Sequence, residues 1–457
     1  MGVLLLALMM LEGARACLHL DRAFLPSLCL MVAIVPYLMV QAGKVGRLFI
    51  MLSILMAGIA AMRLENSAEV LGEALSRAAF FQAFLTAVFT LQEAAYRSAT
   101  INQIGLYLIS QPLRKQSILT LLGTNAMALM MNMGSLVMIG ALARDRAAGN
   151  QPSGSGASQR SEMTAVAAIR GFSPSAMWSP LALPPVFLSS LMSGVTPGEA
   201  MRVGFVLSMA VLIFSCLFTY LQGSIVLHRH AVPTVDARRL PLASMMRLAL
   251  LLCGIFLAIY LATEELALSS SAAVMIIIPL TSCLWMVVGQ GHSLTSLVTG
   301  PLRSMATIRL PRQAAETSVI VSAAFLGPVI VELFSIRVVA QAVQDANFSA
   351  FTLLSLAYLA VLALAMVGIN PVLTTTLAVA VIADPAAHGV SPLALIAILS
   401  AAWAMAAQFS PYTGTATIIG RLFDIPAERL VLVRNGPFMA VTILLSLAGI
   451  YAFVALK

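Results

Sequence analysis

Apolar runs long enough to cross a bilayer follow one another along this chain, at about 24–41, 48–62, 78–96, 117–143, 163–194, 203–227, 242–262, 270–290, 317–334, 350–383, 391–423 and 439–456. A helix crosses the hydrocarbon in roughly 20 apolar residues. Inside it every backbone N–H and C=O needs an internal partner. The reading is an all-α polytopic membrane protein. Composition agrees: of 457 residues 60% are hydrophobic and 10% charged, against about 25% charged in a soluble domain. No soluble domain is expected.

The net charge of +8 does not point to nucleic acid, because the basic residues are scattered through short connecting loops. Arg229, Arg238 and Arg239 lie in one, and Arg303, Arg309 and Arg312 in another. By the positive-inside bias both loops are placed in the cytoplasm. The cysteines (17, 29, 216, 253, 283) stand apart and read as packing residues, not disulfides or metal ligands. The first residues, "MGVLLLALMMLEGARAC", look like a signal peptide but lack a basic start. A short first membrane segment is the better reading. Residues 63–77 are expected to form an amphipathic interfacial helix, and 144–161 a Gly/Ser-rich flexible loop.

One run is interrupted at its middle. "MVGINPVLTTTLAVAVIADP" (366–385) carries Gly368, Asn370 and Pro371, then Thr374 and Thr375. Gly and Asn lower helix propensity, and Pro removes a donor and clashes with the preceding turn. Broken backbone survives within a membrane only where it lines a protein-buried cavity. Its half-helix N-termini then suit an anion, and its half-helix C-termini a cation.

The interruption has a counterpart. "LLGTNAMALMM" (121–131) shares Gly-x-Asn with "MVGINPVLTTT" (366–376), placing Gly123, Thr124 and Asn125 opposite Gly368 and Asn370. Further on, "WSPLALPPVFLSSLMSGVTPGEAMRVGF" (from 178) and "FSPYTGTATIIGRLFDIPAERLVLVRNGPF" (from 409) both run Ser-Pro, small residues, Pro-x-Glu, Arg, Gly and a closing apolar span. Ser179-Pro180 is thereby matched to Ser410-Pro411, followed by Thr413 and Thr415. "EAAYRSA" (93–99) and "QAAETSV" (313–319) align loosely upstream. Matches in one order indicate a duplication: 1–92 as N-terminal scaffold, 93–227 as the first repeat, 228–312 as a basic loop with scaffold helices, and 313–457 as the second repeat. Paired interruptions in two halves point to a midplane binding site.

This order, a hairpin with an Asn-containing tip, a span broken at a Pro-rich stretch, then Pro-x-Glu and a closing helix, resembles the ion transporter superfamily. That group includes divalent anion/sodium symporters, citrate carriers and the large membrane subunits of TRAP transporters. The resemblance covers roughly 90–227 and 313–456. It implies two inverted repeats, each with a re-entrant hairpin and a discontinuous helix, in a homodimer that moves its site by an elevator-like shift. It also implies a carboxylate substrate, symport with sodium or protons, and a bacterial inner membrane. A small membrane or solute-binding subunit is implied if the likeness is to the TRAP group. In the family the tips often read Ser-Asn-Thr and hold substrate and sodium. Here Asn125 and Asn370 match the asparagines, Gly123 and Gly368 replace the serine, and the third residue is not Thr. That departure bears on sodium coupling; Thr124, Thr374 and Thr375 are the candidate replacement hydroxyls.

Ionisable residues within spans are functional candidates by default. Arg170 in "AAIRGFSPSAMWSP" sits just before the first break. It is either a carboxylate or phosphate clamp or a snorkelling residue near an interface. Glu332 is either a proton carrier or the partner of Arg337. Glu93 and Glu316 read as solvated residues at span edges, and Arg421 as an interface marker. His292 and His388 are loop residues without metal spacing. No cofactor or metal is expected beyond Na+ or H+ as coupling ion.

The leading function is therefore secondary active transport of a small organic anion. A cation/proton antiporter on the same scaffold is the runner-up, with an exporter or lipid-handling protein behind it. A membrane-embedded enzyme would want a His, Asp or Cys cluster, and a channel suits asymmetric broken repeats poorly.

Overall fold

The computed structural model describes residues 1–18, 24–150, 155–229, 239–289, 293–334 and 336–456. Most of the basic stretch 228–239, and His292, lie outside the described residues. The helices are α1 (Gly2–Leu18), α2 (Phe24–Gln41), α3 (Lys44–Arg63), α4 (Ser67–Tyr96), α5 (Ala99–Ile109), α6 (Leu113–Met131) and α7 (Gly134–Asn150). Then come α8 (Ser155–Ser175), α9 (Leu183–Ser190), α10 (Pro197–Arg229), α11 (Leu242–Glu264), α12 (Ser270–Leu284), α13 (Leu294–Leu297) and α14 (Leu310–Arg312). The last are α15 (Ala314–Leu333), α16 (Ile336–Asp345), α17 (Ala350–Met366), α18 (Pro371–Val381), α19 (Pro392–Phe409), α20 (Gly414–Phe423) and α21 (Gly436–Ala455). Eight segments among the described residues are long and apolar enough to cross a membrane.

Local chemistry sets many of the ends. Ser269, Ser349, Ser391 and Thr413 cap α12, α17, α19 and α20 through side-chain oxygens that accept from the backbone three residues on. Pro392 occupies the first turn of α19, where its missing N–H costs nothing.

The chain divides into two compact units. The first comprises Met1–Arg97, Cys253–Asn347 and Val372–Ala383. Its centre is α4, buried over most of its length and packed by α1, α2, α3, α12 and α15. The polar stretch 63–77 is not a separate interfacial helix. From Ser67 it forms the opening turns of α4, because Val70, Ala74 and Ala78 continue the helix's buried face. Val70 and Ala74 pack with Ala60 of α3 and Val329 of α15.

The second unit comprises Ser98–Leu252, Phe348–Pro371 and Asp384–Lys457. Here α8 and α19 pack on each other, α6 lies along α8, α17 lies along α19, and α10 crosses α6, α8, α9 and α19. The expected flexible loop at 144–161 is largely helical, since α7 runs to Asn150 and α8 begins at Ser155. Residues 151–154 lie outside the described residues.

One element order occurs twice along the chain: a long helix (α4, α15), a short one (α5, α16), two helices joined by a short turn (α6–α7, α17–α18), a broken helix (α8–α9, α19–α20) and a closing helix (α10, α21). The first such turn corrects the sequence reading. Gly123, Thr124 and Asn125 are no tip; they lie inside the continuous α6, and the chain turns at Asn132-Met133. The physical reason is packing between helices. Asn125 donates its amide to Gly171 O at 2.9 Å, and Gly123 leaves room for Leu108 of α5. Gly171 is needed for the same crossing, because a Cβ there would lie 2.1 Å from Leu121 O. The tip asparagine of the first half is Asn132, which stands 47 residues before Ser179, as Asn370 stands 40 before Ser410.

Candidate functional site

Two helices of the second unit break. The first, α8, ends at Ser175 and resumes as α9 at Leu183. Within the break Ser179 Oγ accepts from Leu181 N at 3.2 Å, and Ser179 and Pro180 are buried. The second, α19, ends at Phe409 and resumes as α20 at Gly414.

At this second break the hydroxyls of Ser410, Thr413 and Thr415 bond the protein's own backbone or one another. Ser410 N bonds Ala406 O, Thr413 and Thr415 both donate to Ala407 O, and Asn435 Nδ2 donates to Gln408 O. Ser173 Oγ donates to Ala404 O. The carbonyls of the last turn of α19, which would have no intrahelical partner, are thus largely taken. Thr413 Oγ1 also accepts from Ala416 N as the N-cap of α20. Ser410, Thr413 and Thr415 hold the break open; they are not arrayed as a free hydroxyl surface. Pro411 sits between them and is buried.

The turns that follow α6 and α17 both reach this segment. In the second of them α17 ends in a glycine cap. Gly368 adopts φ +90° and donates to Ala365 O at 3.0 Å, while Ile369 N reaches Leu364 O at 2.9 Å. Asn370 follows, and Pro371 opens α18. Ser410 Oγ donates to Ala365 O at 2.6 Å, and a Cβ on Gly368 would meet Tyr412 at 3.8 Å. In the first of them Met133, beside Asn132, approaches from the other half: a Cβ on Gly414 would lie 3.5 Å from its Cε. Tyr412-Thr413-Gly414 therefore lies between the two tips. Tyr412 is 61% exposed.

Arg170 is wholly buried, with 0% exposure, so it does not snorkel. Its Nε donates to Asn435 Oδ1 at 2.8 Å, and its Nη1 to Thr219 Oγ1 and Gln222 Oε1, each at 3.0 Å. The guanidinium also stacks on Phe438 at 4.4 Å and Phe218 at 5.1 Å. Only Nη2 is buried without a partner among the described residues. A bidentate grip on a carboxylate would require release of Asn435 or of the Thr219–Gln222 pair. What Arg170 does in this conformation is brace the break, since Asn435 joins it to the Gln408 carbonyl and Gln408 Nε2 reaches Ser173 Oγ at 3.2 Å.

The brace extends toward one end of the unit. Gln222 Nε2 donates to Arg434 O at 3.4 Å. Arg434 and Arg429 (2.7 Å) both bind the carboxylate of buried Glu162. Sequence reasoning missed Asn132, Gln408, Asn435 and Glu162. Only Asn435 carried a signal, the turn-prone Asn-Gly-Pro at 435–437.

The remaining candidates lie elsewhere. Thr374 and Thr375 are buried on α18, in the first unit, and Thr375 Oγ1 bonds Val372 O at 3.2 Å. Glu332 is half-buried on α15 in that unit. The side chains of Arg337 and Glu316 lie outside the described residues. Glu93 is no solvated edge residue: it is buried and held by two arginines. Arg421 offers its carbonyl to Arg144 Nη2 at 2.7 Å, and His388 Nδ1 lies 3.1 Å from Phe348 O. Among the described residues no cluster of His, Cys, Asp or Glu has metal-holding geometry.

No protein-family model matches the chain, and no curated protein matches it in sequence. Its fold is similar to that of a solved structure, the YdaH transporter of Alcanivorax borkumensis, whose topology is described as unusual. The TM-score is 0.58 at 15% identity, over 91% of this chain and 99% of that one. The described residues are all-helical, and the chain is a multi-pass membrane protein whose fold is similar to that of this neighbour.

Proposed function

We propose that this protein is a secondary active transporter, not an enzyme, and that it carries a small organic anion, a carboxylate, at the second helix break. The observation that carries this reading is the position of Tyr412-Thr413-Gly414 between the two hairpin tips, Asn132-Met133 and Gly368-Asn370. A solute there meets the N-terminus of α20, which carries partial positive charge and whose Ala416 and Thr417 N–H groups are taken by Thr413. Of the carbonyls that would attract a cation at the end of α19, those of Ala406, Ala407 and Gln408 already accept from Ser410 N, from Thr413 and Thr415, and from Asn435. That imbalance favours an anion symporter over a cation/proton antiporter.

Membership of the ion transporter superfamily belongs to the same proposal. So do two inverted repeats, a homodimer in the bacterial cytoplasmic membrane, and an elevator-type movement driven by sodium or protons. In such a mechanism the unit with both breaks carries the solute, with Asn132 and Asn370 as its tip contacts. Arg170 and Asn435 hold the break in shape.

The test is uptake of a panel of radiolabelled carboxylates into proteoliposomes, with sodium and proton gradients imposed separately. One carboxylate accumulating under one gradient, and lost in Asn132→Ala and Asn370→Ala, supports the proposal and names the ion. Folded protein that moves no carboxylate under either gradient overturns it.

A further inference from the structure

The geometry of the first unit points to a separate ligand site: a pocket for the headgroup of an anionic phospholipid that carries free hydroxyls. It is independent of the transport reading. The pocket, of about 120 Å³, opens where the end of α4 meets the segment 305–313. That volume takes a phosphate and part of its alcohol; acyl chains would have to lie outside it.

Its charge is fixed by Glu93, only 3% exposed. Arg97 Nε reaches one carboxylate oxygen at 2.8 Å and Arg309 Nε the other at 3.1 Å. Both oxygens are therefore occupied, and a second guanidinium charge is left over. Arg309 is 44% exposed and lies over the Tyr96 ring at 5.8 Å. Arg312, exposed on the rim, makes no ion pair among the described residues. Arg309 and Arg312 line the pocket and Arg97 holds its one carboxylate, so guanidinium groups outnumber carboxylates there, an excess that an anion neutralises. Phosphate suits guanidinium forks in both charge and geometry.

Two further features narrow the class. The wall is apolar, from Phe89, Met305 and Leu310, and Val298 and Ile308 are exposed on the same stretch of chain. A basic pocket among membrane helices on the cytoplasmic side is a recognised setting for acidic headgroups, and the arginines of 303–312 carry the positive-inside signature. The second feature is an acceptor. Gln313 Nε2 donates to Gln92 Oε1 at 3.0 Å, but Gln313 Oε1 is buried with no donor. A phosphodiester has no hydrogen to give it, and a choline group has none either. An ethanolamine ammonium would bring positive charge against Arg309 and Arg312. A headgroup hydroxyl satisfies Gln313 Oε1 without that cost.

The experiment is lipid retention by the purified full-length chain, read by native mass spectrometry with phosphatidylglycerol, phosphatidylcholine and phosphatidylethanolamine in competition. Glycerol 3-phosphate and inorganic phosphate serve as soluble competitors. The expected result is at least tenfold preference for phosphatidylglycerol. Arg312→Gln should reduce that preference several-fold, and Gln313→Leu should erase the discrimination against phosphatidylethanolamine while retention of anionic lipid persists. Arg309 is left intact because Glu93 depends on it. Equal retention of the three lipids overturns the inference, as does an unchanged preference in Arg312→Gln. Displacement of phosphatidylglycerol by millimolar glycerol 3-phosphate overturns it too, assigning the pocket to a soluble phosphate ester.

Discussion

Asn132 holds a backbone conformation, φ 46° and ψ −128°, that a side-chain-bearing residue rarely adopts. Such strain costs on the order of 1–3 kcal/mol and persists where function retains it. Asn132→Gly should therefore raise unfolding free energy by about 1 kcal/mol while uptake falls, because the amide is lost from the tip. Thermal unfolding and uptake, measured on the same preparation, check both halves of that split. Arg170 supports a different comparison. Asn435→Leu strands a buried guanidinium without its Nε partner, a loss of about 3–5 kcal/mol by analogy with broken buried pairs. Arg170→Met removes the charge itself and leaves neutral acceptors behind, which costs less, roughly 1–3 kcal/mol. The double variant should be less destabilised than the two single losses added together. Chemical unfolding that ranks Arg170→Met as the worse single change contradicts the brace. At this scale the sequence was partly legible. Arg170 stood out as a charge in an apolar run, but its partners are 49 to 265 residues away, and no local pattern announces them.

Glycine decides how the elements approach one another, and two glycines in the second unit make opposite predictions. A Cβ on Gly171 would strike Leu121 O, a backbone atom that yields only if α6 and α8 separate. A Cβ on Gly123 would strike the methyl end of Leu108, which can rotate. Gly171→Ala is expected to cost about 3 kcal/mol or more and Gly123→Ala about 1 kcal/mol or less, given the usual range for overpacking. Folded yield in detergent and thermal midpoint are the readouts. The same pair explains why the first tip was misplaced. Gly-Thr-Asn at 123–125 shares its residue types with the true break at 368–370, yet in α6 the glycine makes room and the asparagine bonds across to Gly171 O. What distinguishes the second stretch is Pro371, which terminates one helix and begins the next. Ser410–Thr415 was legible for the same reason, since Pro411 and Gly414 stand among hydroxyl residues that cap and tie the broken ends. The amphipathic look of 63–77 misled because polarity alone cannot show that Val70 and Ala74 keep phase with a longer helix.

For the whole molecule, hydropathy and composition were enough to anticipate an all-helical membrane protein. They did not anticipate that the compact units would be assembled from separate stretches of chain, a division that follows from packing. On the transport proposal the anion sits against Tyr412-Thr413-Gly414, where both tips converge; this placement is open to a direct check. The check is thiol labelling of Tyr412→Cys in a background without the native cysteines, in proteoliposomes, with and without the transported carboxylate. Tyr412 is exposed, so the introduced thiol should react readily, and saturating carboxylate should slow labelling several-fold at the concentrations that saturate uptake. Labelling that proceeds at the same rate while uptake is saturated would place the anion elsewhere and contradict the account.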